Sequence, residues 1–233
     1  MKYIELDEVD STNEYIKRNI NTLEHLTIVR TEYQSKGKGR SNHIWDSHKT
    51  DNLLMSILLK GFNDSSKVHQ VTQIIAVAIT EALKSYDISA SIKWPNDIYV
   101  NNLKICGILV EATYTDCLQG VIIGVGLNVN SKDQYQSMAN CKGKQFDINE
   151  IMIRILTQFL IYYKIYLQGS YFHILDKANR ASYLKGKKVD YLNYGEVTFE
   201  TLNEDGTITI KDSKGIQHYV HCNEISLHNK KVY

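Results

Sequence analysis

The chain has 233 residues, 27 Lys and Arg against 26 Asp and Glu, a formal net charge of +1, and is 43% apolar. That is core enough for one large domain, or a domain with a small appendage, and the charge balance argues against a general binder of nucleic acid or anionic membrane. Mean hydropathy is −0.31, no apolar run reaches the ~18–20 residues of a membrane span, and Met1-Lys2-Tyr3-Ile4-Glu5 lacks the apolar stretch of a signal peptide.

Cys106, Cys117, Cys141 and Cys222 lie far apart and read as reduced, mostly buried thiols of a cytoplasmic protein. Ser11-Thr12-Asn13-Glu14 has the form of a capping box, and Tyr15, Ile16 and Ile20 give the helix after it an apolar side. Residues 27–32 read as a strand around Ile28 and Val29, and residues 52–60 as a nearly continuous apolar run of strand length. Apolar positions 68, 71, 75, 78, 79 and 82 follow a 3.6 period, so 67–85 is an amphipathic helix. Strands follow at 91–93, 97–101 and 104–114, the last two joined at Asn101-Asn102, because Asn tolerates positive φ. Another strand covers 120–130. Asp147 with Glu150 opens a long helix to about residue 168, Gly169 is its C′ residue, and a second helix runs over 170–180.

The pattern changes after residue 181. Residues 186–229 show no helical period, only β runs at 188–192, 196–202, 207–211 and 217–227, with a hairpin signal at Asp205-Gly206. This predicts an α+β or mixed α/β domain and then a small β-barrel, with a boundary near 181–185 that divides the chain into 1–182 and 183–233.

Four blocks carry chemistry. In Gly37-Lys38-Gly39-Arg40 the glycines let backbone N–H groups approach an anion and the cations add charged donors, although an ordinary basic loop has the same composition. In Lys93-Trp94-Pro95-Asn96-Asp97 the proline fixes chain direction and so the positions of Asn96 and Asp97; a plain bend between strands is the alternative. Lys104 opens an otherwise apolar strand, so its charge needs solvent or an anion, and Gly107 within it marks the close approach of a ligand or another backbone. Gly124-Val125-Gly126-Leu127-Asn128 again sets glycines in a strand before a polar amide. His218 and His221, three apart on a strand, face opposite ways, which speaks against a metal site with Cys222. Tyr162, Tyr163 and Tyr166 read as helix packing.

The order and spacing of these blocks, from Ser11-Thr12-Asn13 through Gln34, Trp45, Lys93-Trp94-Pro95-Asn96-Asp97 and Lys104 to Asn128, resembles the biotin protein ligase family. The resemblance covers nearly the whole chain, to Glu224-Ile225-Ser226-Leu227. It implies an α+β catalytic domain of class II synthetase type, a mixed sheet with helices packed on one side, and then an SH3-like barrel. It implies that biotin attacks ATP to form biotinyl-5′-AMP, and that a lysine of a biotin carboxyl carrier protein then takes the biotinyl group. It implies a catalytic role for Lys104, Arg40 and Asp97, with Asp97 either orienting Lys104 or lying near the metal. Ser11, Thr12, Asn13, Gln34, Gly37, Lys38, Gly39 and Gly107, with Arg40 and Lys104, are the implied biotin residues. Trp45, Lys93, Asn96 and Asn128, again with Arg40 and Lys104, are the implied ATP residues; Trp45 would stack on adenine or be a core aromatic. Mg²⁺ would be held mainly through phosphate oxygens. Ser41-Asn42-His43 departs from a second Gly-Arg pair in relatives, and His228 stands where Arg is frequent. The ligase pattern begins within the first ten residues, so a form without DNA-binding module or specific DNA binding is expected, as a monomer or weak homodimer. Lipoate or octanoate transfer and a non-catalytic biotin or adenylate sensor are the alternatives.

Overall fold

The computed structural model describes residues 1–40, 43–45, 51–62, 64–131, 136–191 and 194–221. A seven-stranded mixed sheet is built from β1 (Lys2–Val9), β2 (Thr27–Gln34), β3 (Asn52–Leu59), β4 (Ser91–Lys93), β5 (Asp97–Val100), β6 (Leu103–Tyr114) and β7 (Leu118–Asn128). Its order is β1-β2-β3-β7-β6-β5-β4. Only β1 and β2 pair in parallel.

All eight residues of β3 are buried, as expected of a central strand whose two faces are both covered. Its alternation divides the core. Leu53, Met55, Ile57 and Leu59 join the main core with α2 (Val68–Lys84) and α4 (Ile148–Leu167). Leu58 instead packs with Ile16 and Ile20 against α1 (Thr12–Asn19) and the segment after it. α2, α4 and α5 (Tyr171–Arg180) thus occupy one side as expected, while α1 covers the other face, where even-numbered β3 residues would otherwise meet water. Each fully buried Ile or Leu on the apolar stripe of α2 contributes roughly 1.5–3 kcal/mol.

The local signals of α4 and the β5–β6 turn act as read. The Asp147 side chain accepts the N–H groups of Asn149 and Glu150 at the start of α4, and Gly169 after it has φ +77°. Asn101 and Asn102 have φ of +50° and +64°. Other features differ. β1 carries an edge pattern with no fully buried residue, so it has no apolar run to announce it. α3 (Met138–Lys142) is a single short turn. Ser11 has the extended backbone of an N-cap, but its side chain caps nothing, and the return arm of the box is missing too: Ser11 N–H donates to Asp10 Oδ1 at 2.8 Å and Glu14 pairs with two lysines.

β8 (Lys188–Tyr191), β9 (Gly195–Leu202), β10 (Ile208–Asp212) and β11 (Gln217–Val220) form a separate antiparallel sheet, in keeping with the expected SH3-like unit. Cys222, residues 224–227 and His228 lie outside the described residues, as do Ser41 and Asn42. The second core contains Leu184, Tyr191, Val197, Phe199 and Ile210, together with Trp94 from the segment between β4 and β5. Ile92 N–H donates to Ala181 O at 2.7 Å and Tyr183 N–H to Ile92 O at 2.8 Å, tying that segment to the start of the second sheet. Among the described residues, Cys106, Cys117 and Cys141 are free thiols, but only Cys106 is buried, against the expectation: Cys117 is exposed in the turn between β6 and β7, and Cys141 on α3 is half-buried. Burial pushes the Cys106 thiol far up. No helix among them is long and apolar enough to cross a membrane.

Candidate functional site

A cavity of about 370 Å³ opens beside the N-terminus of α1. Three glycines make it possible. Gly107 and Gly126 are register partners on β6 and β7. A Cβ on Gly107 would come 2.8 Å from Trp45 Cζ3, and one on Gly126 2.7 Å from Trp45 Cζ2. A Cβ on Gly124 would come 2.6 Å from Asn13 Oδ1. Gly107 was expected to admit a ligand or another backbone; what approaches it is a side chain, the Trp45 indole, which Gly126 also admits, while Gly124 makes room for the Asn13 amide.

The loop after β2 folds back on itself to deliver that indole. Gly39 N–H donates to His43 O at 2.7 Å, and Trp45 N–H donates to Gly37 O at 3.0 Å. Lys38 Nζ reaches Glu14 Oε1 at 2.9 Å, so the loop is pinned to α1. Lys17 Nζ bridges Glu14 and Glu111, at 2.9 and 2.8 Å. Lys38 and then Lys17 hold the Glu14 carboxyl below the usual carboxylate range. Glu111 and Glu14 raise the Lys17 ammonium against the opposing effect of its burial.

Beneath the cavity lies a polar chain. Thr12 N–H donates to Gln34 Oε1 at 2.8 Å. Ser56 Oγ lies 2.6 Å from both Thr12 Oγ1 and Asn13 Oδ1. Asn13 Nδ2 donates to Glu111 Oε2 at 2.7 Å and to Leu109 O at 3.3 Å.

The other wall is cationic. Lys104 Nζ lies 2.8 Å from Asp97 Oδ1. The approach is an ion pair off the hydrogen-bond axis, since that buried oxygen has no hydrogen-bond donor among the described residues. Lys104 Nζ also stands 5.5 Å from the Trp45 ring centroid. Arg40 Nη1 is 3.5 Å from Asn96 Oδ1, and Asn96 Nδ2 donates to Ile108 O at 2.9 Å. Lys93 Nζ lies 4.7 Å from the centre of the Tyr99 ring. Trp45 is half-buried, with Nε1 shielded from water and unpartnered among the described residues.

Ser11, Thr12, Asn13, Gln34, Lys38, Gly39, Arg40, Trp45, Lys93, Asn96, Asp97, Lys104 and Gly107 all line this cavity. Gly37 and Asn128 do not. Gly37 acts through its carbonyl on Trp45, and the buried Asn128 donates its amide to Gln136 O at 3.2 Å, at the far end of β7. Sequence reasoning missed Ser56 as a partner of Thr12 and Asn13, and Glu14 as the anchor of the loop. The one signal for Ser56 was a lone hydroxyl within an apolar run. Among the described residues no group of three or more His, Cys, Asp or Glu is placed to hold a metal ion; His218 Nε2 instead meets Asp212 Oδ2 at 2.9 Å.

Comparison with known proteins agrees with this geometry. Residues 5–128 match the model of the Biotin/lipoate A/B protein ligase family. The match takes in more than half of the chain, and the chain belongs to that family. It is 35% identical over 130 residues to biotin–protein ligase 1, chloroplastic, of Arabidopsis thaliana, a match covering 53% of this chain and 35% of that protein. It is 28% identical over 209 residues to the bifunctional ligase/repressor BirA of Bacillus spizizenii, covering 82% of this chain and 63% of that protein. The chain thus spans less than two thirds of the length of either relative. The structure of the biotin protein ligase from Aquifex aeolicus in complex with biotin and ATP superposes with a TM-score of 0.85 at 27% identity, over 97% of this chain and 98% of that one.

Proposed function

We propose that this chain is an ATP-dependent biotin–protein ligase that joins biotin to a lysine of a biotin carboxyl carrier protein. One observation carries the reading: a neutral polar set (Ser11, Thr12, Asn13, Gln34) and a cationic set (Arg40, Lys104) line the same cavity. The first suits a ring rich in donors and acceptors. The second suits a carboxylate meeting a triphosphate.

In the first step a biotin carboxylate oxygen attacks the α-phosphorus of ATP, and the bond to pyrophosphate breaks. The barrier is repulsion between anions together with charge gathering on the phosphorane oxygens. Fixed cations lower it because they need no reorganisation as charge develops. Lys104 is the central residue, and its contact with Asp97 supports the orienting role for that carboxylate. Arg40, on the loop beside Asn96, is the second cation, and Trp45 is the adenine platform. In the second step the carrier lysine amine attacks the anhydride carbonyl, AMP leaves with the C–O electrons, and the amine proton passes to solvent.

Mg²⁺ enters as part of the nucleotide substrate. Asp97, the one carboxylate among the described lining residues, is engaged by Lys104, so the metal would be held mainly by phosphate oxygens and would supply charge neutralisation there. The division into a catalytic unit over 1–182 and an SH3-like unit over 183–233 belongs to the same proposal, supported by the second core with Trp94 as its link. So does action as a monomer or weak homodimer in the cytoplasm.

The test is transfer of labelled biotin to a purified biotin carboxyl carrier domain with ATP. Label fixed on the carrier lysine, absent without ATP, is the expected result. Transfer of lipoate or octanoate to a lipoyl domain, without biotin transfer, would replace the reading with that of the sister activity.

A further inference from the structure

We infer that Ser56, supported by Glu111, sets the donor–acceptor polarity of the cavity, so that Thr12 and Gln34 jointly accept one N–H of the ligand. The inference deepens the biotin reading and rests on it.

The geometry leaves little choice. A carboxylate and a backbone carbonyl only accept, so Glu111 at 2.7 Å and Leu109 O at 3.3 Å fix Nδ2 of Asn13 toward themselves and turn Oδ1 toward Ser56. An amide oxygen likewise never donates. Three oxygen–oxygen contacts remain: Ser56 to Asn13 at 2.6 Å, Ser56 to Thr12 at 2.6 Å and Thr12 to Gln34 at 3.1 Å. They share two hydroxyl protons. Two lone pairs cannot face each other at 2.6 Å, so the protons go to the two short contacts: Ser56 donates to Asn13, and Thr12 donates to Ser56. The longest contact, Thr12 Oγ1 to Gln34 Oε1, is left between two acceptors. Both residues line the cavity, and an N–H of the ligand placed between them meets two acceptors, Gln34 Oε1 taking it beside the Thr12 N–H it already holds.

Ser56 is fully buried on β3, outside the cavity lining, so it acts only through its neighbours. It is a positioning residue that selects for a ureido N–H. A hydrocarbon chain has nothing to place there.

The experiment measures competition binding of biotin and of the two cyclic carbamate analogues in which one ureido N–H is replaced by oxygen. A site built around acceptors rejects the analogue that brings a further acceptor by about 100-fold or more. In Ser56→Ala the Thr12 proton is released to donate, so that ratio is expected to fall about tenfold. Glu111→Gln keeps an oxygen that accepts from Asn13 Nδ2, beside Leu109 O, and is the control expected to leave the ratio near the wild-type value. A loosened fold would weaken all three ligands and leave the ratio intact. An unchanged ratio in Ser56→Ala would overturn the inference while the biotin reading stands. No binding of biotin by the wild type would remove the biotin reading itself, and the inference with it.

Discussion

The indole of Trp45 fills the space that a side chain on Gly126 would need: a Cβ there would stand 2.7 Å from Cζ2 and 2.8 Å from Nε1. A loop residue is thereby set against the sheet by the absence of an atom on β7. Gly126→Ala is expected to push the indole outward with the loop yielding, since the strand cannot. If Trp45 carries adenine, ATP affinity drops about tenfold, from the usual worth of base–aromatic stacking. Biotin affinity and the melting temperature change far less. Titration of ATP and of biotin against the variant checks this, and equal losses for both ligands would count against a nucleotide-specific role.

Trp94 sits at 5% exposure in the core of the second sheet, although the sequence places it beside Asn96 and Asp97 of the site. Trp94→Ala is expected to cost about 3–5 kcal/mol, the usual loss for a buried aromatic. Because the same segment carries Asn96 and Asp97, catalytic rate falls even where the variant remains folded. Denaturant melts and steady-state rates at a temperature below the transition separate the two effects.

The Glu14 link to Lys38 and Lys17 makes an acid-sensitive anchor. Its carboxyl is held below the ordinary value of 4.5, with Lys38 the leading cause. For a depressed acid the stabilisation is fully present above the ordinary value and is lost as pH falls through the lowered one. The stability difference between wild type and Glu14→Gln, about 1 kcal/mol or less for so exposed a network, is therefore expected to hold constant from pH 7 to 5. It shrinks only below pH 4.5. Melts across that range test it, and a difference that vanishes near pH 6 would exclude Glu14 as the anchor.

Much of this architecture was legible because local signals agree with tertiary ones. The 3.6 period of α2, the Asp147 cap and the Asn101-Asn102 turn each state a backbone preference that the fold then uses. β1 was hard to read because its alternation is brief: only Ile4 and Leu6, both partly buried, mark the inward face, and the other residues of the edge strand up to Glu8 are exposed. Ser11 with Glu14 misled for a different reason: a capping box is a local pattern, and Glu14 finds stronger partners in cations 3 and 24 positions away. The cavity residues were nameable as blocks. The roles of Ser56 and Trp94 were not, since both depend on which segments the topology brings together.

Lys104 beside Asp97 is the centre of the account, and biotin-dependent ATP–pyrophosphate exchange is its most direct measure. Wild type is compared with Lys104→Ala and Arg40→Ala at saturating biotin. Exchange that requires biotin in the wild type and falls about 10²-fold or more in each variant, from the loss of one fixed cation at the developing charge, is the result predicted. Biotin-dependent exchange that survives Lys104→Ala at the wild-type rate would contradict it.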